Sequence, residues 1–175
     1  MKEIELVKLA QKGNDDAFYE LMMIHKNQLY RMALTYLKRE EDAIEAIQEV
    51  TFRAYKMIKK LRDPSFFQTW LIRILINYCN DEWKRKKRYT VVEQQDLEMR
   101  NGSNTLDHDT KLMLDQSMKG LKPDYRNVII LKFFEDLTVQ QIADILQKPE
   151  GTIKSWLRRA LQELKLDLQE ADLYE

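Results

Sequence analysis

Apolar residues recur at three- and four-residue steps along most of this chain, the spacing at which positions share one face of an α-helix. The pattern predicts a short amphipathic helix in MKEIELVKLAQKG. Asn14-Asp15-Asp16 suits the start of a second helix, because short polar side chains accept from free amides and acids favour the positive helix end. Phe18, Leu21, Met22, His25, Leu29, Met32, Ala33 and Tyr36 then carry an apolar stripe to about Leu37. In DAIEAIQEVTFRAY the spacing predicts a third helix, with Ile44, Ile47, Thr51, Tyr55 and Ile58 as its apolar side. Glu45, Gln48 and Glu49, three and four apart, share another face. Arg62-Asp63-Pro64-Ser65 breaks the pattern, since proline lacks an N–H and restricts the residue before it. A further helix carries Phe66, Phe67, Trp70, Tyr78 and Trp83 straight into Lys84-Arg85-Lys86-Lys87-Arg88.

Periodicity then lapses. Residues 89–111, with TVVEQQDLEMRNGSNTLDHDT at 90–110, are polar and acidic at both ends and read as a linker. Fully extended at about 3.3–3.6 Å per residue, it would reach up to roughly 80 Å. Helical spacing returns with Leu114, Met118 and Leu121, and Pro123 suits the first turn of the next helix. Tyr125, Val128, Ile129, Lys132 and Phe133 lie on a helix apolar nearly all round, which predicts burial. Thr138 with Gln141 is a capping box ahead of Ile142, Ile145 and Leu146. Gln147-Lys148 is the expected turn, and Pro149 can open a final helix with Ile153, Trp156, Leu157, Ala160, Leu161 and Leu164 inward. The outward face would hold Gly151, Lys154, Ser155, Arg158, Arg159 and Gln162. Two short helices, a tight turn and a basic outer row describe a helix-turn-helix, whose second helix enters the major groove. The fold class is therefore all-α. Two small helical domains are expected: a three- or four-helix domain at 1–88 and a helix-turn-helix domain at 112–175.

Composition agrees with that class. Four glycines and three prolines punctuate 175 residues, of which 44% are hydrophobic. Formal net charge is zero, so charge matters by position: basic groups gather at 84–88 and 154–165, acidic ones at 93–109. A lone Cys79 excludes an intrachain disulfide and fits a reducing compartment. The N-terminus lacks the apolar core of a signal peptide and no run approaches a membrane span, so a cytoplasmic location is expected. His25, on the apolar stripe with no partner at ligand spacing, reads as a packed or hydrogen-bonded histidine. His108 between Asp107 and Asp109 does not make a metal site, because three consecutive residues do not converge on one ion. No metal, no cofactor and no small-molecule substrate is expected. The clustered carboxylates or nucleophile–base pair of an enzyme are not found.

The remaining chemistry lies in two basic regions. Aromatic faces beside cations suit unpaired bases, which offer π surfaces and phosphates together. Asn77 adds an amide able to pair with a base edge. On residue chemistry alone, however, Phe66, Phe67 and Trp70 also suit a core, and Glu45, Gln48 and Glu49 suit a solvated face.

DAIEAIQEVTFRAY and SFFQTWLIRILINYCND resemble conserved region two of the extracytoplasmic-function sigma factors, the small promoter-recognition subunits of bacterial RNA polymerase. LTVQQIADILQKPEGTIKSWLRRALQEL is similar to region four of the same family. The resemblance implies a non-enzymatic protein that binds core polymerase through the β′ clamp helices and the β flap. It places Glu45, Gln48 and Glu49 on the clamp helices, with Glu45 standing where the family usually has Asp. It implies capture of the non-template strand of the −10 element by Phe66, Trp70, Asn77, Lys84, Arg85 and Arg88, with Asn77 lining the pocket of a flipped base. Lys154, Ser155, Arg158 and Arg159 would read the −35 element. An anti-sigma protein, often membrane-anchored, is the implied inhibitor. The alternative is a helix-turn-helix regulator acting without core polymerase; an enzyme or a pure interaction module is a more distant one.

Overall fold

The computed structural model describes residues 2–93 and 116–172. Among these the regular structure is entirely helical, in two compact units drawn from the N-terminal and C-terminal halves.

The first unit begins with α1 (Glu3–Gln11) and α2 (Asp15–Leu37). Gly13 turns the chain between them at φ 95°, a left-handed value that side-chain-bearing residues disfavour. Asn14 caps α2, its Oδ1 accepting from the Ala17 amide at 2.9 Å. The stripe from Phe18 to Tyr36 is buried as the spacing predicts, His25 included. His25 Nε2 lies 2.9 Å from Glu3 Oε1, which ties α1 to α2.

The next helix, α3 (Glu40–Met57), departs from the expected orientation. Its buried face is Ala43, Ala46, Val50 and Ala54, packed on α2. Of the expected apolar side only Ile58 is buried; Ile47 and Thr51 are half-buried, and Ile44 and Tyr55 are exposed. The reason is steric. Short side chains let two helices approach closely, and the larger apolar residues on α3 are turned to its flank and outer side.

Two 3₁₀ turns, Ile58–Lys60 and Pro64–Phe66, lead into α4 (Phe67–Glu93). This helix runs beside α2 in the same direction. Phe67 lies tilted against His25 (centroids 5.7 Å apart), Gln68 donates to Gln28 at 2.8 Å, and Trp83 donates to the Tyr36 carbonyl at 2.8 Å. Cys79 is fully buried in a small-hydrophobe role. The backbone stays helical past residue 88 to Glu93, so the first residues assigned to the linker extend α4. The rest of the expected linker, with Asp107, His108 and Asp109, and the core position Leu114 lie outside the described residues.

In the second unit a helical turn at 116–120 (α5) precedes α6 (Pro123–Ile129), with Pro123 in its first turn. Residues from Tyr125 to Leu131 are buried: the apolar ones as the pattern predicts, and with them the polar Arg126 and Asn127. At Ile130–Phe134 the helix widens into a π turn, its wider hydrogen bond running from the Glu135 amide to the Ile130 carbonyl (3.1 Å). Phe133 and Phe134 are thereby exposed, correcting the expected burial of Phe133: one extra residue in the turn shifts the faces beyond it.

A short α7 (Val139–Leu146) opens on the expected capping box. Thr138 Oγ1 accepts from the Gln141 amide at 3.2 Å, and Gln141 Oε1 from the Thr138 amide at 2.9 Å. Gln147 turns at φ 55° and Lys148 donates back to Ala143, which ends α7. The Pro149 carbonyl accepts from Thr152 and Ile153 at the start of α8 (Glu150–Asp172), a 23-residue helix and not a short one. Ile153, Ala160 and Leu164 face the core against α6, Trp156 and Leu157 are half-buried, and Leu161 is exposed. Leu161 falls at the edge of an arc narrower than the spacing alone indicated.

Candidate functional site

On α4, Trp70, Asn77, Lys84 and Arg88 stand at steps of seven, seven and four, which on a 3.6-residue helix makes one lengthwise row. At 1.5 Å per residue the row is about 27 Å long. Asn77, Lys84 and Arg88 are exposed, and Trp70 is half-buried with its ring 5.8 Å from Phe67. Phe67 itself is core, at 1% exposure, whereas Phe66 is 50% exposed on the 3₁₀ turn ahead of the helix. That turn is shaped by Asp63, whose Oδ1 accepts from the Ser65 amide (2.9 Å) and hydroxyl (2.7 Å). The same two bonds hold the Asp63 carboxyl below its ordinary range, hydroxyl first.

Arg85 departs from the row. It lies about 100° round the helix from Lys84. Its guanidinium is also engaged by Glu82, Nη2 to Oε2 at 2.7 Å. Asp81 lies close to the row between Asn77 and Lys84, so the face is not uniformly basic. The basic run as written in sequence is thus divided: Lys84 and Arg88 continue the Asn77 face, and Arg85 leaves it.

The acidic positions of α3 separate in a similar way. Glu45 and Gln48 are exposed, while Glu49 pairs with Arg53 one turn on, Oε1 to Nε at 2.7 Å. Arg53 also stands over the Tyr78 ring, 5.5 Å from its centroid. The Tyr78 hydroxyl is pushed up to about 12 by burial first, then by the carboxylates of Glu82, Glu45 and Glu49 and by Cys79. Beside Gln48 the outer face of α3 carries Ile44, Phe52 and Tyr55, at 47%, 53% and 51% exposure. Tyr55 donates to Asp15 at 2.8 Å, and the Lys56 ammonium lies 4.2 Å from the Phe52 ring centroid. On α2, Tyr19 and Met23 are exposed as well. This apolar flank was missed in sequence, although α3 carries more large apolar residues than one buried arc accommodates.

On α8, Lys154, Arg158 and Arg159 are exposed and Ser155 is half-buried. Lys154 and Arg158 form one row, extended by exposed Lys165, and Ser155 and Arg159 form the next. Gly151 and Gln162 lie between, small and polar. Among the described residues no group of three His, Cys, Asp or Glu is placed to hold a metal, and no helix is long and apolar enough to cross a membrane.

A helical unit with an aromatic–amide–basic face, followed by a helix-turn-helix with a basic outer row, matches two family models. Residues 21–89 match Sigma-70 region 2, and residues 111–164 match Sigma-70, region 4. Among curated proteins, the ECF RNA polymerase sigma factor SigW of Bacillus subtilis is 32% identical over 178 residues, covering 94% of this chain and 95% of that one. The RNA polymerase sigma factor SigV of Bacillus subtilis is 31% identical over 149 residues, covering 85% and 89%.

The chain is an extracytoplasmic-function sigma factor of the sigma-70 family.

As a sigma factor it directs promoter-specific transcription initiation, with core RNA polymerase and DNA as partners, and has no enzymatic activity of its own. That sets aside a helix-turn-helix regulator working without core polymerase. Solved structures share the fold: CnrH in complex with the cytosolic domain of CnrY (TM-score 0.71, 21% identity, 97% of this sigma factor and 98% of that chain) is one. RpoE in complex with the anti-sigma factor NepR from Bartonella quintana is another, at TM-score 0.61 and 21% identity over 87% and 96%.

Proposed function

We propose that residues 1–88 bind core polymerase and open the −10 element, that 89–111 tether, and that 112–175 read the −35 element. What carries the reading is the α4 row. Trp70, Asn77, Lys84 and Arg88 lie on one face, with Phe66 outward at its head. A displaced non-template strand meets aromatic surface, a base-reading amide and then positive charge in order along that face. A base turned out of the stack costs a few kcal/mol, which pocket contacts offset. Arg85, engaged with Glu82, contributes field and not a contact in the row.

Core docking is assigned to the outer face of α3. Glu45 and Gln48 meet the β′ clamp helices, with Ile44, Phe52 and Tyr55 as the apolar centre beside them. Apolar anchors supply affinity at such an interface, and charges set rate and register. Glu49, bonded to Arg53, holds the acidic side in shape. In the second unit Lys154, Ser155, Arg158 and Arg159 enter the major groove at the −35 element, and the unit docks on the β flap. The protein acts in the cytoplasm, under an anti-sigma protein of the membrane-anchored kind that the family resemblance implies. Support comes from the partners named with the similar structures, the cytosolic domain of CnrY and NepR.

Run-off transcription with core polymerase on a pool of promoters from the source genome tests the whole reading. Transcripts that require this protein and lose yield on substitution at both the −10 and −35 elements are expected. Transcripts indifferent to the −10 sequence would contradict it.

A further inference from the structure

The connection from Ile58 to Phe66 presents the head of the strand-capture face, and its own hydrogen bonds are short-range. Leu61 donates to Ile58 at 3.1 Å, Phe66 to Asp63 at 3.1 Å, and Ser65 to the Asp63 carboxylate. What fixes it to the rest of the unit comes from far away in sequence. Gln11, the last residue of α1, donates from Nε2 to the Leu61 carbonyl at 2.7 Å and to the Ile58 carbonyl at 3.1 Å. A primary amide nitrogen has two N–H donors, and both are used here. Both acceptors lie just past the end of α3; the Ile58 carbonyl also accepts from the Leu61 amide, so Gln11 bonds to both ends of that 3₁₀ turn.

The other end of α1 is equally fixed. Glu3 is bonded to His25, whose ring lies against Phe67, the neighbour of Phe66. Leu6, Val7 and Ala10 are buried between these two ends. So α1 is a strut: one end stands by the start of α4, and the other holds the start of the connection that carries Phe66.

We infer that Gln11 is a positioning residue for promoter opening: through the Ile58 and Leu61 carbonyls it holds the 58–66 connection in the conformation that receives the unpaired −10 strand. This rests on the strand-capture reading of Phe66 and Asn77. Gln11 touches no DNA in this role. Its effect is on the fraction of molecules with the connection already in place, and apparent strand affinity scales with that fraction.

The test uses full-length protein bound to core polymerase. The probe is a labelled single-stranded oligonucleotide carrying the non-template −10 sequence of a promoter the holoenzyme transcribes. Gln11→Glu keeps the shape and replaces the donors with a carboxylate facing two carbonyls; Gln11→Met keeps the bulk without polarity; Gln11→Lys restores a donor. For the first two, strand affinity is expected to fall about five- to thirty-fold, the population change that losing one or two ordinary hydrogen bonds allows. Core affinity and −35 duplex binding should be unchanged, and Gln11→Lys should recover most of the loss. Phe66→Ala and Asn77→Ala run alongside. If those two lose the strand while Gln11→Glu and Gln11→Met bind it like the parent protein, the inference is wrong and the capture reading stands. If Phe66→Ala and Asn77→Ala also bind normally, the capture reading fails and takes the inference with it. If the Gln11 variants lose strand, core binding and melting temperature together, with no recovery by Gln11→Lys, Gln11 only stabilises the fold and the inference is overturned.

Discussion

The indole N–H of Trp83 donates to the carbonyl of Tyr36 at 2.8 Å, closing one of the carbonyls that the last turn of α2 leaves open. This bond fixes the basic end of α4 against the end of α2, forty-seven residues away in sequence. Trp83→Phe keeps an aromatic ring and removes the donor. The expected cost is about 1 kcal/mol, seen as a melting temperature about 4–8 °C lower for a unit of this size. Thermal unfolding followed by far-ultraviolet circular dichroism checks it.

Two substitutions on α3 should behave in opposite ways. Ala46 is fully buried against α2, so Ala46→Leu overpacks the interface and should cost about 1–3 kcal/mol of stability. Phe52 is on the outer face, so Phe52→Ala should change stability by less than about 0.5 kcal/mol. If the docking assignment is right, Phe52→Ala nevertheless weakens core polymerase binding by more than about 1 kcal/mol. Urea denaturation and core-binding titrations separate the two effects.

Tyr78 supplies a pH test. Its hydroxyl ionises at about 12 in the folded protein against an ordinary value of 10.0, chiefly through burial and then through Glu82, Glu45 and Glu49. The folded state therefore holds the proton where the unfolded state releases it. Stability from this group is fully present below about 10 and is lost as pH rises toward about 12. Denaturation midpoints should fall across that window, and fall less in Tyr78→Phe. Tyrosinate absorbance should show one late-titrating phenol that the variant lacks.

Much of this fold was legible because local chemistry and tertiary packing agree. The capping box at Thr138 and Gln141, the Asn14 cap and the stripe from Phe18 to Tyr36 all form as their spacing predicts. Legibility failed where residue size, not polarity, chose the face. Alanines at 43, 46 and 54 bury α3 and leave Ile44, Phe52 and Tyr55 outside, an orientation hydrophobic spacing does not encode. It failed again at Ile130–Phe134, where a π turn alters the period that placed Phe133 inward. On α4, grouping by sequence proximity put Arg85 with Lys84 and Arg88. Helical rotation and Glu82 separate them.

On α8, Arg158 and Arg159 lie in adjacent rows and should differ in what they read. Substitution to alanine of whichever contacts a base should cost about 1–3 kcal/mol and relax preference at one −35 base pair. Substitution of one that meets only phosphate should weaken binding uniformly and lower the salt slope by about one unit. Holoenzyme titrations on −35 variants at several salt concentrations distinguish these outcomes.

The central claim is that the exposed α4 row captures a displaced strand, and Asn77 tests it most directly. It is exposed midway between Trp70 and Lys84, so Asn77→Ala should leave folding, core binding and −35 recognition intact. The decisive measurement is the rate of open-complex formation, by permanganate footprinting, on a duplex promoter and on the same promoter pre-melted by a mismatch bubble. Asn77→Ala should open the duplex more slowly and be partly rescued by the bubble, which already supplies the unpairing energy. Opening of the duplex at the parent rate, with unchanged −10 sequence preference, would contradict the account.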